Sequence, residues 1–194
     1  MAATQTKPIE LFYWPTANGF KISIMLEELG VPYEPRFVNI GKGDQFKPDF
    51  LKIAPNNRMP AIIDPEGPDG QPISIFESAA ILIYLGEKFG KFYGKDARQR
   101  VATNEWLIWQ MAHVGPTFGQ YGHFSRQDPD NAYAMKRFGD EVHRLYRVLN
   151  GRLDGREYVA DDYSIADMAL FGWVRNPQNR NVDVAEFPHV GAWL

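Results

Sequence analysis

The patterning of the chain changes once, near Tyr93-Gly94, and that change limits the folds open to it. Before this point short β-prone runs alternate with helical periods; beyond it helical periodicity dominates. Composition turns over at the same place. Residues 1–93 hold 10 of the 14 Pro and 7 of the 9 Lys, whereas residues 94–194 hold 10 of the 12 Arg and four of the five Trp. A stretch that forms a sheet and a stretch that is wholly helical bury their apolar faces in different ways. The sequence therefore predicts two domains, α/β over 1–93 and all-α over 94–194, and a length of 194 residues suits two small domains.

In the first part, Ile9-Glu10-Leu11-Phe12-Tyr13-Trp14 reads as a strand that stops at Pro15, which has no N–H for a ladder. Asn18 opens an amphipathic helix with Phe20, Ile24 and Leu29 near one face, stopped by Gly30 and Pro32. Tyr33 to Ile40 reads as a second strand, broken by Gly41-Lys42-Gly43, and Asp49 to Ile53 as a short helix closed by Pro55-Asn56-Asn57. Ala61-Ile62-Ile63 and Ile73-Ser74-Ile75-Phe76 are short strands joined by a turn-rich stretch. Ser78 to Phe89 is helical, with Ile81, Leu82 and Leu85 as its buried stripe. The order is βαβ, a loop with a short helix, then ββα. A helix joins the first two strands, so they should be parallel with a right-handed crossover.

In the second part, Ala97 to Ala112 carries Val101, Trp106, Trp109 and Met111, and Gly115-Pro116 is expected to kink or end that helix. Ala132 to Leu153 is a second long helix, with Phe138, Val142, Leu145, Leu149 and Leu153 at helical spacing. Tyr163-Ser164-Ile165-Ala166-Asp167-Met168 has the form of a capping box. Ser164 is the N-cap, Asp167 stands at the third helical position, and Tyr163 and Met168 fall where a hydrophobic staple would sit. Its role is folding. The aromatic group Trp106, Trp109 and Phe118 reads as core or domain interface, not as a substrate box.

Charge and composition exclude several functions. Twenty-one basic residues against 24 acidic give a net charge of −3, and the ten Arg after position 94 are interleaved with 13 acidic residues, so no nucleic acid partner is expected. The longest apolar run, Ala79 to Leu85, falls far short of the roughly 20 residues that span a bilayer, so no membrane partner is expected. The first eight residues show no leader pattern, which leads to an expected cytoplasmic location. Cysteine is absent, which removes a disulfide scaffold, Cys-ligated metal sites and a protein thiol nucleophile. No two of the four His stand at the spacing of a metal-binding helix, so no metal is expected. Any thiol chemistry here needs a thiol brought in by a substrate.

Three separated stretches resemble the cytosolic glutathione transferase family. Pro55-Asn56-Asn57-Arg58-Met59-Pro60-Ala61 is similar to the family loop whose proline is cis. Phe76-Glu77-Ser78-Ala79-Ala80-Ile81 is similar to its Glu/Ser-helix motif, and Tyr163-Ser164-Ile165-Ala166-Asp167 to its capping motif. The likeness runs over about residues 9–193 and implies a thioredoxin-like first domain followed by a helical second one. Within the family, Pro15-Thr16-Ala17-Asn18-Gly19, Gly41-Lys42-Gly43-Asp44-Gln45-Phe46 and Gly119-Gln120-Tyr121-Gly122-His123-Phe124 resemble bacterial nu-class proteins and their fungal nitrogen-regulator relatives. The sequence departs from that pattern at Ala17, where the related motif often has Pro. It also ends at Leu194, where relatives continue through another helical stretch. The resemblance implies glutathione as cosubstrate, a small disulfide or electrophile as second substrate, and a homodimer.

The chemical problem is then to activate a thiol that is not part of the protein. A thiol of pKa about 8.5 is only a few per cent thiolate at neutral pH, and lowering it by about two units takes about 2.7 kcal/mol of preferential thiolate stabilisation. One hydrogen bond to a charged group contributes about 1.5–3 kcal/mol, and a helix N-terminus about 0.3–2 kcal/mol. Thr16 and Asn18, on the strand-to-helix turn, offer both; the plainer reading is that they only shape the turn and cap the helix. Tyr13 is the rival activator, placed two residues before Pro15 as in the tyrosine-type transferases, although an aromatic there is more often core.

The resemblance implies further roles. Met59, before a cis Pro60, would present its backbone N–H and C=O to the ligand peptide. Ser78 would bind the γ-glutamyl carboxylate and Glu77 its ammonium, with helix capping as the alternative. Gln45 and Arg58 would reach the glycyl end. Arg137 resembles the position that can hold a second glutathione, whereas a lone helical Arg is by default a solvated ion pair. The expected activity is glutathione-dependent disulfide reduction. Conjugation to electrophiles and a non-catalytic binding module are the alternatives.

Overall fold

A four-stranded mixed sheet forms the centre of the first of two units in the computed structural model, which describes residues 4–194. The chain divides between Tyr93 and Gly94. In the first unit β1 (Ile9–Tyr13), α1 (Ala17–Leu29) and β2 (Tyr33–Phe37) make a βαβ crossover. Then come α2 (Pro48–Ile53), β3 (Ala61–Asp64), β4 (Ile73–Phe76) and α3 (Ser78–Phe89). The strand order is β2-β1-β3-β4, with β1 and β2 parallel and the other neighbours antiparallel. The expected thioredoxin-like order βαβ-ββα is thus present.

Alternation along the strands decides which side chains reach the core. Ile9 and Leu11 of β1 and Ile62 of β3 are buried with Ile22, Met25 and Leu26 of α1 and Ile81, Leu82 and Leu85 of α3. Gly30 ends α1 and Gly90 ends α3, each at positive φ, 67° and 63°, where a residue with Cβ is strained. β2 is an edge strand, which is why Pro35 is tolerated within it. The second strand is shorter than its apolar pattern suggests. Asn39 Oδ1 accepts from the N–H groups of Gly41 (3.1 Å) and Lys42 (3.2 Å), and this turns the chain into a 3-10 helix over Ile40–Lys42.

The second unit holds α4 (Ala97–Trp109), α5 (Gly115–Gln127), α6 (Ala132–Leu153), α7 (Ile165–Val174) and α8 (Pro188–Trp193). Gly115-Pro116 does not end the preceding helix. A π turn over Gln110–Val114 joins α4 to α5, with the Gly115 N–H reaching back five residues to Gln110 O. The widened turn accommodates the proline, which has no N–H to donate. α7 is buried from Ile165 through Leu170, as an all-round apolar helix must be. Its capping box is formed as expected, with Ser164 and Asp167 bonding reciprocally. Phe118 stacks on Tyr146 at 5.5 Å, apart from the Trp106–Trp109 pair at 5.1 Å, so the three aromatics make two contacts and no box.

Candidate functional site

The end of β1, the start of α1, the loop before β3 and the start of α3 meet in the first unit, and hydrogen bonds show how closely. Thr16, not Asn18, is the N-cap of α1. Its backbone is extended and its Oγ1 accepts from Gly19 N at 3.2 Å, while Asn18 lies within the first helical turn. One Thr16 lone pair is therefore occupied. The hydroxyl proton is left to donate, and it meets Met59 Sδ at 3.6 Å. That contact joins residues 43 positions apart in the chain.

Gly19 makes the approach possible. A Cβ there would lie 2.2 Å from Trp14 O and 2.9 Å from the Tyr13 ring. Tyr13, half-buried, packs edge-on to Phe20 (6.3 Å) and against the exposed Phe37 (6.2 Å).

Met59-Pro60 is cis. Met59 packs on a small cluster of Val38, Phe50, Ala54 and Ala61, which fixes the loop from beneath. Neither its backbone N–H nor its C=O makes a hydrogen bond among the described residues, so both can take a peptide ligand. On the far side of the loop Asn56 Nδ2 donates to Glu77 Oε1 at 3.3 Å. Glu77 caps α3 at a φ of 70°, a left-handed conformation uncommon for a residue with Cβ. The exposed carboxylate is thus held beside the loop, while Ser78 is buried behind it, 6% exposed.

Sequence reasoning missed two residues here. Lys21, 1% exposed, donates from Nζ to Ser78 Oγ at 3.3 Å. Burial pushes its ammonium down to about 7, against the upward pull of the Glu77 carboxylate. The signal was present in the pattern, because Lys21 stands one and two turns before the buried Met25 and Leu29. Asn56, passed over as a turn residue, is the second addition.

Two expected residues are not drawn into this cluster. Gln45 lies on a 3-10 turn over Asp44–Phe46, where its Nε2 donates to Ile40 O at 3.4 Å and its Oε1 is buried with no partner among the described residues. Arg58 is exposed and donates to its neighbour's carbonyl, Asn57 O, at 3.5 Å. Arg137 belongs to the second unit. With Tyr133, Arg147 and the ion pairs Lys136–Asp140 and Arg144–Glu141 it lines a cavity of about 740 Å³ on α5 and α6.

A thioredoxin-like sheet with a cis proline before β3, followed by an all-helical second unit, is the two-domain arrangement of the glutathione transferase fold. Residues 7–87 match the glutathione S-transferase N-terminal domain family and residues 114–194 the C-terminal domain family. The chain belongs to the glutathione S-transferase family. It is 45% identical over 188 residues to the disulfide-bond oxidoreductase YfcG of Escherichia coli (strain K12), covering 95% of this chain and 87% of that one. A glutathione transferase of Burkholderia graminis, solved with two glutathione molecules per subunit, superposes with a TM-score of 0.91 at 44% identity, over 96% of this chain and 81% of that one. One from Pseudomonas putida, solved with one glutathione disulfide per subunit, gives 0.92 at 42% identity, over 98% and 86%.

Proposed function

We propose that the protein is a glutathione-dependent disulfide reductase that uses the bound thiolate as its nucleophile. The observation that carries this reading is the Thr16 hydroxyl. It is fixed as a donor by Gly19 N–H, turned towards the cis-proline loop, and belongs to a chain with no cysteine. A ligand whose cysteinyl N–H and C=O pair with Met59 would bring its sulfur to this hydroxyl and to the positive end of α1. There a thiolate is a better acceptor than the Met59 thioether.

In the first step the glutathione thiolate attacks one sulfur of a disulfide. A new S–S bond to glutathione forms, the old one breaks, and the other half leaves as a thiolate that takes a proton from water. A second glutathione thiolate attacks the glutathione sulfur of the mixed disulfide, giving glutathione disulfide and the second free thiol. Two glutathiones are oxidised for one disulfide reduced.

Met59 would position the cysteinyl residue, Ser78 the γ-glutamyl carboxylate and Glu77 its ammonium. Asn18, in the first turn of α1 beside Thr16, shares the thiol-activating role, with Tyr13 as the rival activator, and Gln45 and Arg58 are left for the glycyl end. Arg137 is the candidate for the second glutathione, supported by Arg147 beside it and by the doubly occupied Burkholderia protein, while Lys136 and Arg144 of the same cavity are paired with Asp140 and Glu141.

The test is turnover of 2-hydroxyethyl disulfide with glutathione, coupled to NADPH oxidation through glutathione reductase. Robust turnover is expected. Glutathione binding without turnover, together with activity on an aryl halide, would replace reduction by conjugation.

A further inference from the structure

Arg180, on a 3-10 turn over Pro177–Arg180 beyond α7, carries a charge that the second unit draws out of water without neutralising it. The half-buried guanidinium stacks over the Phe118 ring at 4.7 Å and stands 5.9 Å from Trp173. Nη1 donates to Asn176 O at 3.2 Å, while Nε is buried with no acceptor among the described residues. No described carboxylate makes an ion pair with it, and none bears on its charge. Asp128, which follows α5, accepts from Asn131 Nδ2 at 3.0 Å, and Asp183 accepts from Ala185 N at 2.9 Å. The Tyr146 hydroxyl is held neutral by its own burial. Stacking on a ring offsets only part of the hydration that a guanidinium loses, and arginine cannot escape by giving up its proton.

The one charged neighbour at neutral pH is a second cation. Burial first, and then the positive charge of Arg126, act against the Arg180 charge. Phe118, Gly122 and Arg126 are spaced by four along α5 and so share a face. Helical side chains lean towards the N-terminus, and Gly122 leaves room for Arg126 to do so. A Cβ on Gly122 would lie 3.2 Å from Arg126 Nη1. Arg126 is exposed and has no ion pair among the described residues. Its guanidinium therefore lies back along α5 in the direction of Phe118, on which Arg180 is stacked.

We infer that Arg126 and Arg180 form an anion site within the second unit, taking the carboxylate or phosphate of a small molecule between their guanidiniums beside Gly122. The inference does not rest on the glutathione reading. An oxyanion accepts from the terminal nitrogens of both side chains, and its charge turns a repulsion between two cations into two attractions. Arginine suits the task better than lysine, because its planar fork matches an oxyanion and holds its charge when partly buried.

The test is calorimetric titration of the whole chain with sodium phosphate and, separately, with sodium acetate, at pH 7.5 and an ionic strength kept constant with sodium chloride. At least one of the two should bind with a Kd of about 1 mM, and the preferred one identifies the headgroup. Arg126→Gln and Arg180→Met should each weaken that binding about tenfold or more. Arg126 is exposed, so Arg126→Gln keeps the test open if Arg180→Met does not fold. Arg126→Glu supplies the carboxylate that Arg180 lacks: it should abolish binding and raise the melting temperature by about 2–4 °C. Binding of neither oxyanion by the native protein, or native affinity in Arg126→Gln, would overturn the inference and leave the glutathione reading standing.

Discussion

Thr16 does two jobs at once, and substitutions can separate them. Its Oγ1 caps α1 through Gly19 N, and its proton faces the cis-proline loop. Thr16→Ala removes both, costing about 1 kcal/mol of stability through the cap. It should lower disulfide turnover by about 10- to 100-fold while glutathione affinity stays within a few fold. Thr16→Ser keeps both functions and should retain most of the activity; steady-state kinetics of the two variants checks this. Gly19→Ala should destabilise the fold by about 1–3 kcal/mol in urea unfolding, because the new methyl meets Trp14 O and the Tyr13 ring.

The sequence could place a polar helix start here but not choose between Thr16 and Asn18, since both residue types cap well. The choice falls to backbone geometry, because the residue with extended φ and ψ is Thr16. Lys21 escaped notice for a related reason. A lysine is read as solvent-facing unless the stripe it continues is followed to Met25 and Leu29.

At the scale of elements, the capping box of α7 gives the clearest stability test. Asp167 accepts from Val159 N, Ser164 N, Ser164 Oγ and Trp193 Nε1, each at 3.1 Å, and is 2% exposed. Ser164→Ala should cost about 1 kcal/mol. Asp167→Ala should cost about 3 kcal/mol, because four donors, three of them buried, then lose one acceptor. Urea denaturation of both variants should rank them in that order. This motif was legible because capping is a short-range rule written in four consecutive residues.

The passage from α4 through the π turn to α5 was less legible. Gly-Pro is a local stop signal, and only the i to i−5 bond at Gly115 shows how the helix runs on. The end of β2 failed in the same way, since the apolar pattern continues past Phe37 while the Asn39 side chain begins a 3-10 turn.

At the scale of the whole molecule, a buried polar knot holds β3, α3 and the N-terminal segment of the first unit. Asp64, fully buried, accepts from Lys88 Nζ (2.5 Å), Tyr84 Oη (2.6 Å), Glu66 N (2.9 Å) and Gln5 Nε2 (3.1 Å). Burial alone would push its carboxyl up, but these donors together hold it below the ordinary carboxylate range. The folded state therefore favours the ionised form. Its contribution to stability is complete above the unfolded value of about 3.9 and is lost as pH falls through the lower folded value. Lys88→Met leaves that carboxylate buried without its cation and should cost about 3–5 kcal/mol at pH 7. Thermal unfolding of native and variant protein between pH 2.5 and pH 7 should show the gap closing towards the acid end.

The division into a sheet-bearing and a helical unit was readable from patterning alone, because strand and helix periods differ over many residues. The meeting of Thr16 with Met59, and of α1 with the start of α3 at Ser78, was not. It depends on the β1–β3 register and on the packing of α1 against α3, which no local spacing encodes.

The proposed chemistry requires the fold to lower the pKa of a thiol it does not own. Ultraviolet absorbance of the thiolate near 240 nm, followed against pH for glutathione bound to the native chain and to Thr16→Ala, tests it directly. The bound thiol should ionise about two units below the free value of about 8.5 on the native protein and return most of the way to it in the variant. A bound thiol that ionises as it does in free solution would rule this chemistry out.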